Sequence, residues 1–474
     1  MERGITQRHA SAVELKRDAL SVLDLLIAGM SYMAPGFSLF FTTAVIASYA
    51  GIHIPLMYLL SGAGVLCTGA ALAEFSKLAP SAGSLQTFIA RGFGRVASVA
   101  GGLTLVLGYI CLQGGVAVLF GGWTSSLLSD LFGVTIGWPL LTAIGVIVCT
   151  VLMVLGVHLS IRTTWALFLV EFTLVVIISL AVIIQGGAHG LTLQPFSLAA
   201  MGQIPLSGIA FGMVFATFSF VGFEGSISFA EETPNPRRAL PIAVMGGLAA
   251  MIAVYVLATY SAVIAYGTDK VSDLAGDPEP IATVTKNYAH LLLSLLKFSV
   301  WTSIVANLMA GGNANARILF NLGREGALPG AIGRIHARYK TPHVAIILFM
   351  LLTLVPGLLA SPWWDYLTAF GNIAGFGALL ALLIYMVATA ALPAFLHRRA
   401  RAGEHRFFAH LVIPVVGVAI WLIPLWGTLA PGQAFPFNIF PWLALGVIAL
   451  AILYALAIGR RTSVGQNLAA GGGE

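Results

Sequence analysis

Two carboxylates stand inside long apolar runs. Glu171 sits in LFLVEFTLVVI, nine residues beyond Arg162, which is about 13 Å along a helix at roughly 1.5 Å per residue. Glu224 follows an interruption in SFVGFEGS (219–226), between Gly222 and Gly225. An ionisable group at membrane depth is costly when charged and unpaired, so each marks a functional site by default. Glu171 suits a proton carrier or a sodium ligand; the structural alternative is a protonated carboxyl hydrogen-bonded to a neighbouring helix. Glu224 suits a brace that accepts amides freed by the interruption, or a group that titrates as the protein works. Tyr109 and Gln113, four apart, either share one face toward a cavity or serve helix packing. Asn307, Asn313 and Asn315 should face protein rather than lipid. Asn313 and Asn315 are two apart and cannot share a helix face, so one should see a pathway and the other a neighbouring helix.

Hydrolytic and metal chemistry find no support. Neither H-E-x-x-H nor G-x-S-x-G occurs, so no enzyme, cofactor or metal site is expected. His53 and His158 lack metal-ligand spacing and sit near helix ends, where solvation explains them. Cys67, Cys111 and Cys149 all fall in apolar runs and read as small core residues rather than a disulfide framework. A channel would show repeated filter loops or rings of charge, which are absent from this sequence.

The elements that must hold these groups are membrane helices. Of 474 residues 58% are hydrophobic and only 9% charged, with mean hydropathy +0.94, whereas soluble domains carry about 25% charged residues. A soluble enzyme, a nucleic-acid binder and a disordered chain are excluded. Since a spanning helix needs about 20 apolar residues, twelve are predicted, near 20–50, 54–78, 96–128, 138–157, 162–185, 206–231, 238–266, 291–320, 342–361, 364–392, 408–428 and 436–458. No segment alternates with period two, which excludes a barrel. The polar first 20 residues lack the apolar core of a cleaved signal peptide. With the N-terminus inside, every Lys and Arg except Lys270, Lys286 and Lys297 falls on the cytoplasmic side, as the positive-inside rule requires. The expected location is therefore the cell membrane, multi-pass, with both termini cytoplasmic. The segment 267–290 is the longest outer stretch, either a loop folding over an outer entrance or a plain solvated linker.

Two spans are interrupted. The first reads SYMAPGFS (31–38), where Pro35 and Gly36 break a helix; the sixth breaks around Gly222. Gly36 and Gly222 are offset by 186 positions, as are the starts of their spans near 20 and 206. Paired breaks of this kind point to a transporter built from inverted repeats, with its site at the breaks. Each break could instead be a packing kink. Freed amides at the start of the outer half-helix suit a carboxylate and freed carbonyls suit an ammonium group, so a zwitterionic amino acid fits both ends.

Four stretches carry a further signal: LAPSAGSLQTFIARGFG (78–94), FVGFEGSISFAEETPNPRRALP (220–241), RILFNLGREGALP (317–329) and RIHARYKTPHVA (334–345). Together they resemble the amino acid, polyamine and organocation transporter superfamily, over about residues 18 to 400. The resemblance implies an all-α membrane protein of twelve transmembrane helices, in a five-plus-five inverted repeat with discontinuous helices one and six. The repeats would cover 20–195 and 206–395, with two added helices over 406–460. It implies a permease that moves amino acids or related amines by alternating access, as a proton-coupled symporter or an exchanging antiporter. Alternatives on the same fold are a sodium symporter and a nutrient sensor that moves no solute.

Carried over by position, the substrate carboxylate would meet Met33, Ala34, Pro35, Gly36 and Phe37, and its amino group Phe218, Ser219, Phe220, Val221 and Gly222. Many members have a Gly-Ser/Thr-Gly triplet where this chain has Pro35, Gly36 and Phe37, so the carboxylate pocket is altered. Phe218 falls where some members place an aromatic gate, although core packing is an equal use for it. Glu171 aligns with a position that is often lysine in cation-independent members, and an acid is frequent at the position of Glu224. A sodium site in this fold would recruit hydroxyls on helix eight, and GGNANA (311–316) has none, which favours a proton. Glu231 and Glu232 beside Arg237 and Arg238, and Glu74 before Lys77, read as surface ion pairs or an inner gate.

Overall fold

Ser21 opens the first helix with a capping box: its hydroxyl accepts the Asp24 amide at 3.2 Å while the Asp24 carboxylate accepts the Ser21 amide at 2.6 Å, satisfying donors that a helix start leaves free. The structure, a computed structural model, describes residues 21–78, 85–156, 161–225, 233–324, 326–399 and 406–458. Among the described residues every regular element is helical.

The first half runs through α1 (Val22–Met33), α2 (Pro35–Ala50), α3 (Ile54–Leu78), α4 (Leu85–Phe93), α5 (Arg95–Phe132), α6 (Trp138–Val154) and α7 (Ile161–Gln185). After the short α8 (Leu198–Met201), the second half runs through α9 (Leu206–Phe218), α10 (Pro236–Tyr266), α11 (Val271–Gly276), α12 (Pro280–Tyr288), α13 (Leu293–Arg324), α14 (His343–Ala360) and α15 (Tyr366–Arg399). Two last helices follow, α16 (Ile413–Leu429) and α17 (Phe440–Ala457). Ten helical stretches are long and apolar enough to cross a membrane. One of them, Val22–Phe75, is 54 residues long and takes in α1, α2 and most of α3. Apart from these, α6 is apolar but spans only 17 residues, ending at Val154 rather than near 157.

The exposed surface explains the composition. Leucine, isoleucine, valine and tryptophan side chains stand exposed along α6, α14, α16 and α17, among them Leu359, Trp442 and Leu450. Such a surface is stable against lipid. Buried helices α5 and α15 pack along each other and carry the bundle centre. From there a chain of edge-on aromatic contacts links four helices: Phe218 to Phe370 at 5.5 Å, Phe370 to Phe41 at 6.1 Å, and Phe41 to Trp123 at 5.7 Å. Rings meeting edge to face add roughly 0.5–1.5 kcal/mol per pair beyond the area they bury.

The segment between α10 and α13 is folded, which removes the plain-linker reading. Its α11 packs on α2 and buries Leu274, and α12 packs on α2 and α7. Asp277 accepts the Tyr266 hydroxyl and the Thr283 hydroxyl, each at 2.6 Å. Lys297 reaches Glu279 at 3.3 Å and Asp130 at 3.2 Å, fastening this segment to the ends of α5 and α13. Burial holds the Glu279 carboxyl above the usual carboxylate range, despite its lysine partner.

Candidate functional site

The break between α1 and α2 follows from two adjacent residues. A residue before proline is held out of the right-handed helical region, so α1 stops at Met33. Ala34 turns left-handed (φ 45°, ψ 75°), and Pro35 starts α2, where its missing amide loses no bond. A left-handed alanine costs roughly 1–2 kcal/mol. Cross-links hold it: the Ser38 amide donates to Ala34 O at 3.1 Å, the Ser38 hydroxyl to Met33 O at 3.0 Å, and the Asn307 side chain to Tyr32 O at 3.0 Å.

The second break follows α9. Residues 219–225 form irregular turns with Gly222 at φ 106°, a conformation that glycine adopts without penalty. The two breaks touch through Tyr255 of α10, whose hydroxyl lies 3.2 Å from Met33 O and 2.7 Å from Ser219 O.

Between the breaks lies a cavity of about 30 Å³, room for a water molecule or two; a larger ligand requires the walls to part. Its polar wall is Tyr32, Ser38, Gln113, Asn307 and Asn315, and its apolar wall includes Met33, Phe37, Phe218 and Val221. Gln113 donates to Asn307 O at 3.2 Å and Tyr32 to the Asn315 side chain at 3.3 Å, while the Asn315 amide nitrogen is buried without a partner. The division expected of the asparagines is visible: Asn315 faces the cavity and Asn313 does not line it. Tyr32 and Ser38 carry no signal in the sequence beyond their nearness to Pro35.

Of the residues expected to meet a substrate, Met33, Phe37, Phe218 and Val221 reach the wall. Ala34, Pro35 and Gly36 are buried in the break behind it. Ser219 and Phe220 turn the other way: the Ser219 hydroxyl lies 3.0 Å from the Tyr58 hydroxyl, and the Phe220 ring packs 5.2 Å from that of Tyr255. Phe218 meets Phe37 edge-on at 6.4 Å.

Both glycines have a close neighbour already. A Cβ at Gly36 would lie 2.8 Å from Glu171 Cγ, and one at Gly222 would strike the Tyr32 ring. Glu171 is 3% exposed; one carboxylate oxygen accepts the Gly36 amide and, at 3.0 Å, the Ser303 hydroxyl of α13, with the Phe37 amide adding a backbone contact. This is the positive end of the α2 dipole. Ser303 is a hydroxyl of α13 close to the first break, outside the stretch 311–316 that lacks one.

Glu224 braces the second break. It accepts the Gly222 amide at 3.3 Å together with the hydroxyls of Tyr109 and Tyr385, the latter at 3.1 Å. Of Tyr109 and Gln113, four apart on α5, Tyr109 meets Glu224 and Gln113 lines the cavity. Glu74 pairs with Lys77 at 2.6 Å and lies 3.7 Å from His410. Glu231, Glu232 and the Arg237 side chain lie outside the described residues, as does His158. His53 corrects its expectation: it is buried, and its ring nitrogen meets Pro195 O at 3.0 Å, so a backbone carbonyl rather than solvent satisfies it. The three cysteines are free thiols, Cys111 and Cys149 buried and Cys67 partly so.

Comparison with known proteins places the sequence among permeases. The family model for amino acid permeases matches residues 20–463. The chain is 26% identical over 455 residues to the branched-chain amino acid permease of Bacillus subtilis (strain 168), covering 92% of each chain. It is 25% identical over 460 residues to the low-affinity putrescine importer of Escherichia coli (strain K12), covering 94% of this chain and 95% of the importer. The methylthioribose transporter of Bacillus subtilis (strain 168) is 22% identical over 451 residues, 90% of this chain and 92% of that protein.

Proposed function

The chain belongs to the amino acid permease family and is a secondary transporter of amino acids or amines, and we propose that it works by alternating access around the two breaks. The observation that carries this is the cavity itself, walled on one side by the end of α1 and the start of α2 and on the other by the end of α9. Unwound backbone at membrane depth is tolerated only where protein buries it or it lines a cavity. In this reading α1 with α2 and α9 are the interrupted first and sixth helices of a five-plus-five inverted repeat over 20–195 and 206–395. With α16 and α17 added, twelve crossings result, α6 counting as one and Val22–Phe75 as two. The distribution of Lys and Arg supports cytoplasmic termini.

Substrate enters between Met33, Phe37, Phe218 and Val221, with Asn307, Asn315 and Gln113 supplying hydrogen bonds. Coupling is to the proton, through Glu171 with Glu224 as the second candidate. Supporting a proton over sodium, the groups aimed at Glu171 include backbone amides, and a donor beside a carboxylate repels a cation that would share it. A carboxyl can bind a proton there without losing either bond.

The test is binding to purified protein. Gly222→Leu drives the Tyr32 ring into the cavity and adds strain at a positive φ, so affinity for amino acids and amines should fall at least tenfold while the protein still elutes as a single species. Gly36→Leu should do the same by displacing Glu171. Unchanged affinity in both variants would move the site elsewhere.

A further inference from the structure

A helix start leaves its first amides without helical partners, and in α2 those of the first three residues can be traced. Pro35 has no amide hydrogen. The Gly36 amide is taken by Glu171, and the Phe37 amide faces the same carboxylate. The Ser38 amide already makes the first regular helical bond, to Ala34 O at 3.1 Å. The amides that would hold a substrate carboxylate are thus spent on a carboxylate of the protein, and Gly36, lacking a side chain, is what lets that carboxylate approach.

The cavity agrees in its charge. Among the described residues no lysine, arginine or histidine lines it, while Glu171 stands behind its α2 wall and Glu224 lies within reach of Gly222 beside Tyr32. A bound carboxylate would have two acids close behind the wall and, among the described residues, no basic side chain in it. An ammonium group meets the Gln113, Asn307 and Asn315 side chains, whose amide oxygens can accept from it, and the Phe37 and Phe218 rings, aromatic surroundings that suit a cation.

Building on the site reading above, we infer that Glu171 is a specificity-determining residue: by occupying the α2 amides it selects amines that lack an α-carboxylate over the corresponding amino acids.

Matched pairs test this directly. Affinities of detergent-purified protein are measured for putrescine against ornithine and for isoamylamine against leucine, in the wild type and in Glu171→Gln, Glu171→Ala and Asn307→Ala. Wild type should bind the amine of a pair at least tenfold more tightly. Glu171→Gln retains an acceptor for the Gly36 amide and should keep most of that preference. Glu171→Ala frees the amides, and the amino acid should gain at least tenfold relative to its amine. A simple structural role predicts equal loss for both members. Wild type binding the amino acid as tightly as its amine would overturn the assignment, and that measurement needs no variant to fold. Asn307→Ala separates this from a failure of the site itself: it should weaken both members, and unchanged binding of both would remove the site and this inference together.

Discussion

Glu171 shows how far a single residue can be followed from sequence. Its depth was legible, because the distance to Arg162 along a helix is fixed by the helical rise. Its partner was not, since no spacing within one helix says that the Gly36 amide and the Ser303 hydroxyl converge on it from two others. Gly36 was readable as a place where something approaches backbone closely, but the approaching group is the protein's own carboxylate. His53 carries the same lesson: burial against Pro195 O depends on a loop 142 residues away. At this scale the coupling proposal is testable. Glutamine preserves the shape and acceptor of Glu171 but does not titrate, so Glu171→Gln should cut accumulation driven by a pH gradient at least tenfold. One-for-one exchange should continue at near wild-type rate, because exchange needs no net proton movement. Gradient-driven uptake with an unchanged pH profile would reduce Glu171 to a packing residue and shift attention to Glu224.

The helices themselves were read well because their lengths are dictated by the bilayer and their ends by proline and glycine. The first break falls where Pro35 forbids a helical predecessor, and the strain this puts on Ala34 gives a prediction at the level of the element. Ala34→Gly removes the clash of a left-handed Cβ, so it should stabilise the extracted protein by about 1 kcal/mol. That gain is offset in part by the greater freedom of glycine in the unfolded chain. A higher apparent melting temperature with unchanged binding is the expected result. A lower one would mean that the buried Ala34 methyl group contributes more through packing than its conformation costs. The segment between α10 and α13 was the element least legible in advance. Its polar composition fits a linker, and only the burial of Leu274 and the hold of Lys297 on Glu279 and Asp130 reveal that it is folded. Hydrogen bonds and ion pairs between distant segments leave no periodic trace, whereas apolar length does.

For the molecule as a whole, composition alone excluded water as the main solvent, and paired breaks at a constant offset pointed to the centre of the bundle. The chemistry at that centre depends on which side chains fill the breaks, and here sequence reasoning divided. Of the residues expected at the breaks, Met33, Phe37, Phe218 and Val221 line the cavity while Ser219 and Phe220 pack against Tyr58 and Tyr255, a division that could not be read in advance because an irregular turn has no fixed face. A nutrient sensor of the same fold would bind the same ligands in the same cavity, so binding alone leaves the central claim open; movement of solute is what separates them. The decisive measurement is uptake of labelled putrescine and labelled leucine into liposomes containing the purified protein and preloaded with the same unlabelled compound. Transport predicts time-dependent entry of at least one label, saturable, competed by excess unlabelled substrate and lost in Gly222→Leu. Ligand binding at the cavity with no label crossing the membrane, in vesicles shown to be sealed, would contradict it.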